Sequence, residues 1–257
     1  MPEPVEVLSD GPVAVIQIAN PPLNLLTMEI RGELERVAGQ IRGDSSVRAV
    51  VLQGAGDRSF SAGSDIREFP DTPEAGRNRA VREHACYDAI AGLPQPVVAG
   101  LFGHVLGAGL ELALACDLRV ADQRSRLGLP EVKLGVFPSG AGTQRLPRVV
   151  GASRAKRMMF LAEVLEARGA LEIGLVDEVV PAGEARAAAL RMAHQIAQQP
   201  RLGIQAIKKA VDHGLAFGSR AGQAVEVELI GQLFTSHDAQ EGVRAFLESR
   251  PPRFVHG

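Results

Sequence analysis

The chain has 257 residues, of which 46% are hydrophobic and 23% charged, with a formal net charge of −2. That length buries one large core, in one domain or two, and the charge speaks against broad attraction to nucleic acid or anionic membrane while leaving room for a local basic patch that holds a small phosphorylated molecule. No run of 18 apolar residues occurs and the opening MPEPVEVLSDG is acidic, so the sequence predicts a soluble, cytoplasmic protein with no membrane partner. Cys86 and Cys116 lack C-x-x-C spacing and read as reduced core thiols in helical surroundings.

Residues 3–8 and 12–18 read as β-branched strands around an Asp10-Gly11 hairpin. Apolar residues at Met28, Ile30, Leu34, Val37 and Ile41 predict an amphipathic helix over 28–42, followed by a buried strand at 47–54. A helix over about 74–92 ends near Gly92 and Pro94, and a strand at 96–103 feeds GHVLGAGLELALACD, residues 103–117. Past a short strand LRVAD, residues 127–151 are dense in Gly and Pro and read as a long shaped loop before a helix. From 153 onward the pattern is almost wholly helical, broken by LVDEVVP at 175–181. Strands and helices mixed early, then helices alone, predict an α/β core with a trailing helical region.

Strand, glycine turn and helix recur in VRAVVLQGAGDRSFSAGSDI and PVVAGLFGHVLGAGLELALACD, a weak internal repeat. Each turn leaves backbone N–H groups free at a helix start, where they can bind an anion or a developing oxyanion. The second helix carries Glu111 among Leu, Ala and Cys. A carboxylate in so apolar a helix either caps its own N-terminus or faces a cavity in which a ligand reacts.

FSAGSDI at 60–66, GAGLE at 107–111 and LPEVKLGVFPSGAGTQRL at 129–146 together resemble the enoyl-CoA hydratase/isomerase, or crotonase, family. PPLNLL, VRAVVLQGAG, GLVDEVVP and the C-terminal HDAQEGVRAFLESRPPRF extend the resemblance over nearly the whole chain. It implies a spiral of ββα turns over residues 1–195 and a helical region over 196–257 that makes a homotrimer or a homohexamer. It also implies an acyl-CoA thioester substrate whose carbonyl oxygen sits between the backbone N–H groups of Ser64 and Ala108. Both glutamates of the family's hydratases are present: Glu111 would activate water and Glu131 would protonate the α-carbon, whereas isomerases often keep only the second. The N–H of Ser139 would help hold the water. Arg58 and Arg67 are candidates for the CoA phosphates, the backbone from Ser61 through Ala62, Ser64 and Asp65 to Ile66 would line the adenine slot, and Phe254 with Arg253 would close it from a neighbouring subunit. Asp65 itself reads as a helix cap.

Three positions depart from the commonest hydratase pattern: Ala108 for glycine, Ser64 for alanine and Ser139 for glycine. The rival activities are acyl-CoA isomerase, dehydratase, hydrolase or decarboxylase on the same scaffold, and a non-catalytic or RNA-binding member of the family. The six histidines are scattered, His104 reads as a loop or core residue, and no G-x-x-x-x-G-K-[ST] loop occurs. We therefore expect no metal and no cofactor beyond the CoA of the substrate. The default pathway is fatty-acid β-oxidation.

Overall fold

The computed structural model describes residues 3–256. Strands β1 (Val5–Asp10) and β2 (Val13–Ile18) form the hairpin around Asp10 and Gly11, and Gly11 takes the positive φ of 58° that its turn requires. Helix α1 (Met28–Gly43) starts where the Thr27 hydroxyl accepts the Ile30 N–H, and it buries Ile30, Leu34, Val37, Ala38 and Ile41 at the three-and-four spacing of one face. Then come β3 (Ala49–Gly54), β4 (Ser59–Ser61), a 3-10 turn (Ile66–Glu68), α2 (Pro73–Ala91), β5 (Val97–Leu101), β6 (His104–Leu106), α3 (Ala108–Ala113), β7 (Leu118–Asp122) and β8 (Arg126–Gly128).

Beyond β8 a 3-10 turn (Glu131–Leu134) leads to α4 (Gly142–Val150) and α5 (Ala152–Phe160). Next follow β9 (Val164–Glu166), α6 (Ala167–Glu172), β10 (Glu178–Val180) and α7 (Ala185–Ala197), then α8 (Arg201–Phe217), α9 (Ser219–Leu233) and α10 (His237–Leu247). Three expectations need correction. The loop expected over 127–151 already contains α4, whose Pro147 lies inside the helix. The strand β9 was hidden in a stretch read as helix, because three residues leave no readable alternation. And α3 is only six residues long, so Cys116 sits in the turn after it rather than in a helix.

The strands form two sheets, ordered β1-β2-β3-β5-β7-β10 and β4-β6-β8-β9. The β3–β4, β5–β6 and β7–β8 pairs each place one strand in each sheet, parallel to and one step beyond the pair before. The internal repeat is thus present three times rather than twice, and its stepping makes the spiral. Alternate residues of β3 serve two cores: Val50 and Leu52 pack with α1 and α2, while Ala49 and Val51 pack with the alanine face of α7. Both faces at the centre of this mostly parallel sheet are therefore covered, which is why β5 is apolar throughout and β3 is apolar as far as Gln53.

Candidate active site

Two glycine turns meet at the ends of β4 and β6. Leu26 donates to the Gly63 carbonyl at 2.8 Å and accepts from the Asp65 N–H at 3.3 Å, forming a parallel bridge with Ser64. In such a bridge the middle residue points its own N–H to the other side. Among the described residues the Ser64 N–H has no acceptor, and neither has that of Ala108, the first residue of α3. The turns are in contact, because a Cβ built on Gly63 would stand 3.7 Å from the Ala108 nitrogen and 3.0 Å from the Leu106 carbonyl oxygen. Gly63 and Gly107 adopt φ of 112° and 53°, so glycine is required at both for the backbone path as well as for the space.

Glu111 lies in the first turn of α3, is 3% exposed and makes no cap of its own helix. Its Oε1 instead accepts the N–H of Gly142 at 2.8 Å, at the start of α4. Of the two roles the sequence left open, capping of its own helix is excluded, and the carboxylate is instead held by the N-terminus of another helix. A Cβ on Gly140 would come within 2.6 Å of Oε2, so the SGAG run is small because this carboxylate fills the space above it. Burial, and next the nearby Glu131, push the Glu111 carboxyl up to about 8.

Glu131 opens the 3-10 turn after Pro130, and its carboxylate rests against Gly107, where a Cβ would be 3.2 Å from Oε1. Both of its oxygens are buried and take no hydrogen bond from another of the described residues. Burial raises this carboxyl to about 7, with Glu83 adding to the rise. Two carboxyl groups with elevated values and two amide N–H groups without acceptors among the described residues therefore lie close together around Gly63 and Gly107.

Glu83 was not anticipated. It lies on the buried face of α2 with Cys86, Tyr87 and Ile90, pairs with Arg31 at 3.1 Å and Arg79 at 3.0 Å, and accepts the Ser139 hydroxyl at 3.3 Å. A charge at three-and-four spacing with apolar residues was the signal that could have found it. Ser139 is half-buried beside Gly140, with its carbonyl 2.6 Å from His84 Nε2.

The structure brings the turn of Ser61, Ala62, Ser64, Asp65 and Ile66 against Ala108 and, across Gly107, the Glu131 carboxylate, while Ser139 precedes the Gly140 on which the Glu111 carboxylate rests. Asp65 caps the 3-10 turn as expected, and the Arg67 side chain and N–H hold its carboxyl down at about 2. Arg67 and Arg58 are both exposed near this turn. Phe254 is not brought to it by its own chain: it lines a separate cleft with Pro12, Arg48 and His194, by the start of β2 rather than its end. A roomier cleft of about 650 Å³, lined by Arg42, Lys208, Asp212 and Phe217, lacks this convergence of carboxylates and free amides.

The family model described as enoyl-CoA hydratase/isomerase matches residues 9–257. The chain is 37% identical to the short-chain-enoyl-CoA hydratase of Clostridium acetobutylicum over 243 residues, 94% of this chain and 93% of that one. It is also 37% identical to a probable enoyl-CoA hydratase of Bacillus subtilis, with 97% and 98% covered. The crystal structure of an enoyl-CoA hydratase from Geobacillus kaustophilus superposes with a TM-score of 0.96 at 35% identity, covering 100% of this chain and 98% of that one. With its spiral of paired strands and its two glycine turns, the chain belongs to the enoyl-CoA hydratase/isomerase family and is enoyl-CoA hydratase-like.

Proposed function

We propose that this protein is a hydratase that adds water to trans-2-enoyl-CoA thioesters, giving 3-hydroxyacyl-CoA. In this reading Glu111 takes a proton from water as the water oxygen bonds to C3. The electron pair of the double bond moves through C2 onto the thioester oxygen, and Glu131 then delivers a proton to C2. The N–H groups of Ser64 and Ala108 take up the charge that develops on that oxygen, and donors so placed are each worth about 2.7–4 kcal/mol in comparable acyl-transfer sites. The observation that carries the reading is the pair of buried carboxyl groups, both shifted toward neutrality, beside two unengaged backbone amides. Two such neighbouring acids can share a proton near neutral pH; the higher value at Glu111 favours the proton there before substrate binds, so the reaction requires it on Glu131 once water and thioester are in place, leaving one site to accept and one to give.

Arg58 and Arg67 at the rim suit the CoA phosphates, and the backbone of 61–66 suits the adenine. The division into a core over 1–195 and an assembling region over 196–257 fits the surface of the last three helices. Ile207, Val211, Leu215 and Phe217 on α8 and Val227, Ile230 and Phe234 on α9 are all exposed, an apolar surface expected of a protein that associates. We assign that face to a homotrimer or to a homohexamer built as a dimer of trimers.

The test is the loss of conjugated enoyl-thioester absorbance with crotonyl-CoA and longer trans-2-enoyl-CoAs. Turnover with at least one chain length is expected. Binding of CoA thioesters with no turnover of any would move the assignment to another reaction on this scaffold.

A further inference from the structure

We propose that the buried Arg31–Glu83 ion pair is a positioning device that ties the oxyanion turn to the loop holding Glu111, so that the two halves of the site keep one geometry. The proposal rests on the reading above for what those halves do, and on the hydrogen bonds for how they are joined.

Arg31 projects from α1 and is 1% exposed. Its Nη2 donates to the Ser64 hydroxyl at 2.8 Å and pairs with Glu83 Oε1 at 3.1 Å, while Nη1 donates to the Leu26 carbonyl at 2.5 Å. That carbonyl is the one that accepts the Asp65 N–H. One guanidinium thus holds the turn at 63–65 through a side chain and through its backbone bridge.

Glu83 works at the other end. Its Oε2 accepts the Ser139 hydroxyl at 3.3 Å, and its neighbours on α2 reinforce the grip: His84 Nε2 lies 2.6 Å from the Ser139 carbonyl, and the Tyr87 ring packs on Gly140. The residues so held run directly into Gly142, whose N–H fixes Glu111. Both tethered segments lie outside regular helix and sheet, so nothing in the ladders of hydrogen bonds sets their separation.

A buried ion pair is a poor source of stability, since an apolar pair of the same volume often serves as well or better. Geometry is the better account here. The pair reaches the chain through two hydroxyls, Ser64 and Ser139, and these are two of the three positions where the sequence departs from the commonest hydratase pattern. The two departures are not independent: each is a handle for one end of the same bridge.

Hydrogen exchange tests this without reference to turnover. In Glu83→Gln, exchange at the bonded amides of Ala62, Asp65 and Gly142 should rise at least tenfold while the amides of β3 stay at the parental rate. With crotonyl-CoA the same variant should lose about tenfold or more in kcat with KM within about threefold. Ser139→Ala and Ser64→Ala remove one handle each without stranding a buried charge, and each should loosen its own segment alone. Unchanged exchange in both single-handle variants overturns the proposal, as does a Glu83→Gln variant that loosens β3 as much as the two segments. A parent that hydrates no enoyl-CoA sinks the proposed reaction, while the exchange experiment still decides the bridge.

Discussion

Glu111 and Gly142 are joined across two helices: the carboxylate in the first turn of α3 accepts the backbone N–H that opens α4, at 2.8 Å. The contact exists because neither residue 140 nor residue 142 has a side chain, and a Cβ at 142 would stand 2.8 Å from Glu111 Oε1 and 2.8 Å from Pro138 Cβ.

Gly140→Ala is accordingly expected to displace the Glu111 carboxylate, since its methyl would meet both Oε2 and the Tyr87 ring. A misplacement near 1 Å costs on the order of 100-fold in rate. Steady-state kinetics with crotonyl-CoA should show that loss in kcat, with thioester affinity changed by less than about fivefold. Parental kcat would mean that Glu111 tolerates a second position.

Glu111→Gln and Glu131→Gln should each fold normally and each reduce kcat by about 100- to 10,000-fold, the range for a positioned acid or base. Because the two act on one water and one substrate, the double variant should be far less impaired than the product of the two losses. Multiplying losses would show that the groups work independently.

These acids and their glycine turns were legible in the sequence because each is a local pattern: a charge in an apolar helix, a glycine triplet, a Pro-Glu after a strand. The bridge under them was not. Arg31 and Glu83 belong to different helices, and only their apolar neighbours, Ile30 and Leu34 for one and Cys86 and Tyr87 for the other, hinted that either charge was buried. The misjudged elements have physical reasons too. Pro147 and the preceding glycines disguised α4, a helix whose start is held by the distant Glu111 rather than by a capping side chain of its own. The apolar run to Cys116 reflected burial of a turn, not continuation of α3.

The rate should depend on pH through the pair. Both carboxyl groups are raised by burial, to about 8 and about 7, so the pair gives up its protons in two steps close to neutrality and holds one between those steps. A profile of kcat/KM is expected to fall on the acid side, where both are protonated, and on the alkaline side, where both are ionised. Glu131→Gln should abolish one limb. A profile flat from pH 5 to 9 in the parent would remove the shared proton from the mechanism.

Stability should respond in the same direction as the titration. Glu111 binds its proton more tightly folded than unfolded, so its contribution is fully present below its ordinary value of 4.5 and is lost as the pH rises toward about 8. Glu111→Gln fixes the neutral form. Its melting temperature relative to the parent should therefore climb between about pH 5 and pH 8.5, by several degrees on a scale where about 1 kcal/mol moves a chain of this class by about 2–4 °C. A constant difference across that range would place the carboxylate's charge in a better solvated setting than its burial implies.

Gly109 provides the last prediction, because it sets how closely α3 approaches β4. A Cβ there would collide with the Ser61 carbonyl oxygen and lie 2.9 Å from the Ser61 Cβ, a backbone and a short side chain that cannot swing aside. Gly109→Ala must therefore lift the helix from the strand, carrying the neighbouring Ala108 N–H away from Gly63. Helix propensity alone favours alanine by about 1 kcal/mol, so a gain in stability is what local preference would give. Overpacking a filled core typically costs about 1–3 kcal/mol and should win. Thermal melts are expected to show a lower midpoint, and the surviving folded fraction should bind CoA thioesters yet turn them over at least tenfold more slowly. A variant as stable and as active as the parent would show that α3 can shift without disturbing the amide on which the oxyanion assignment depends.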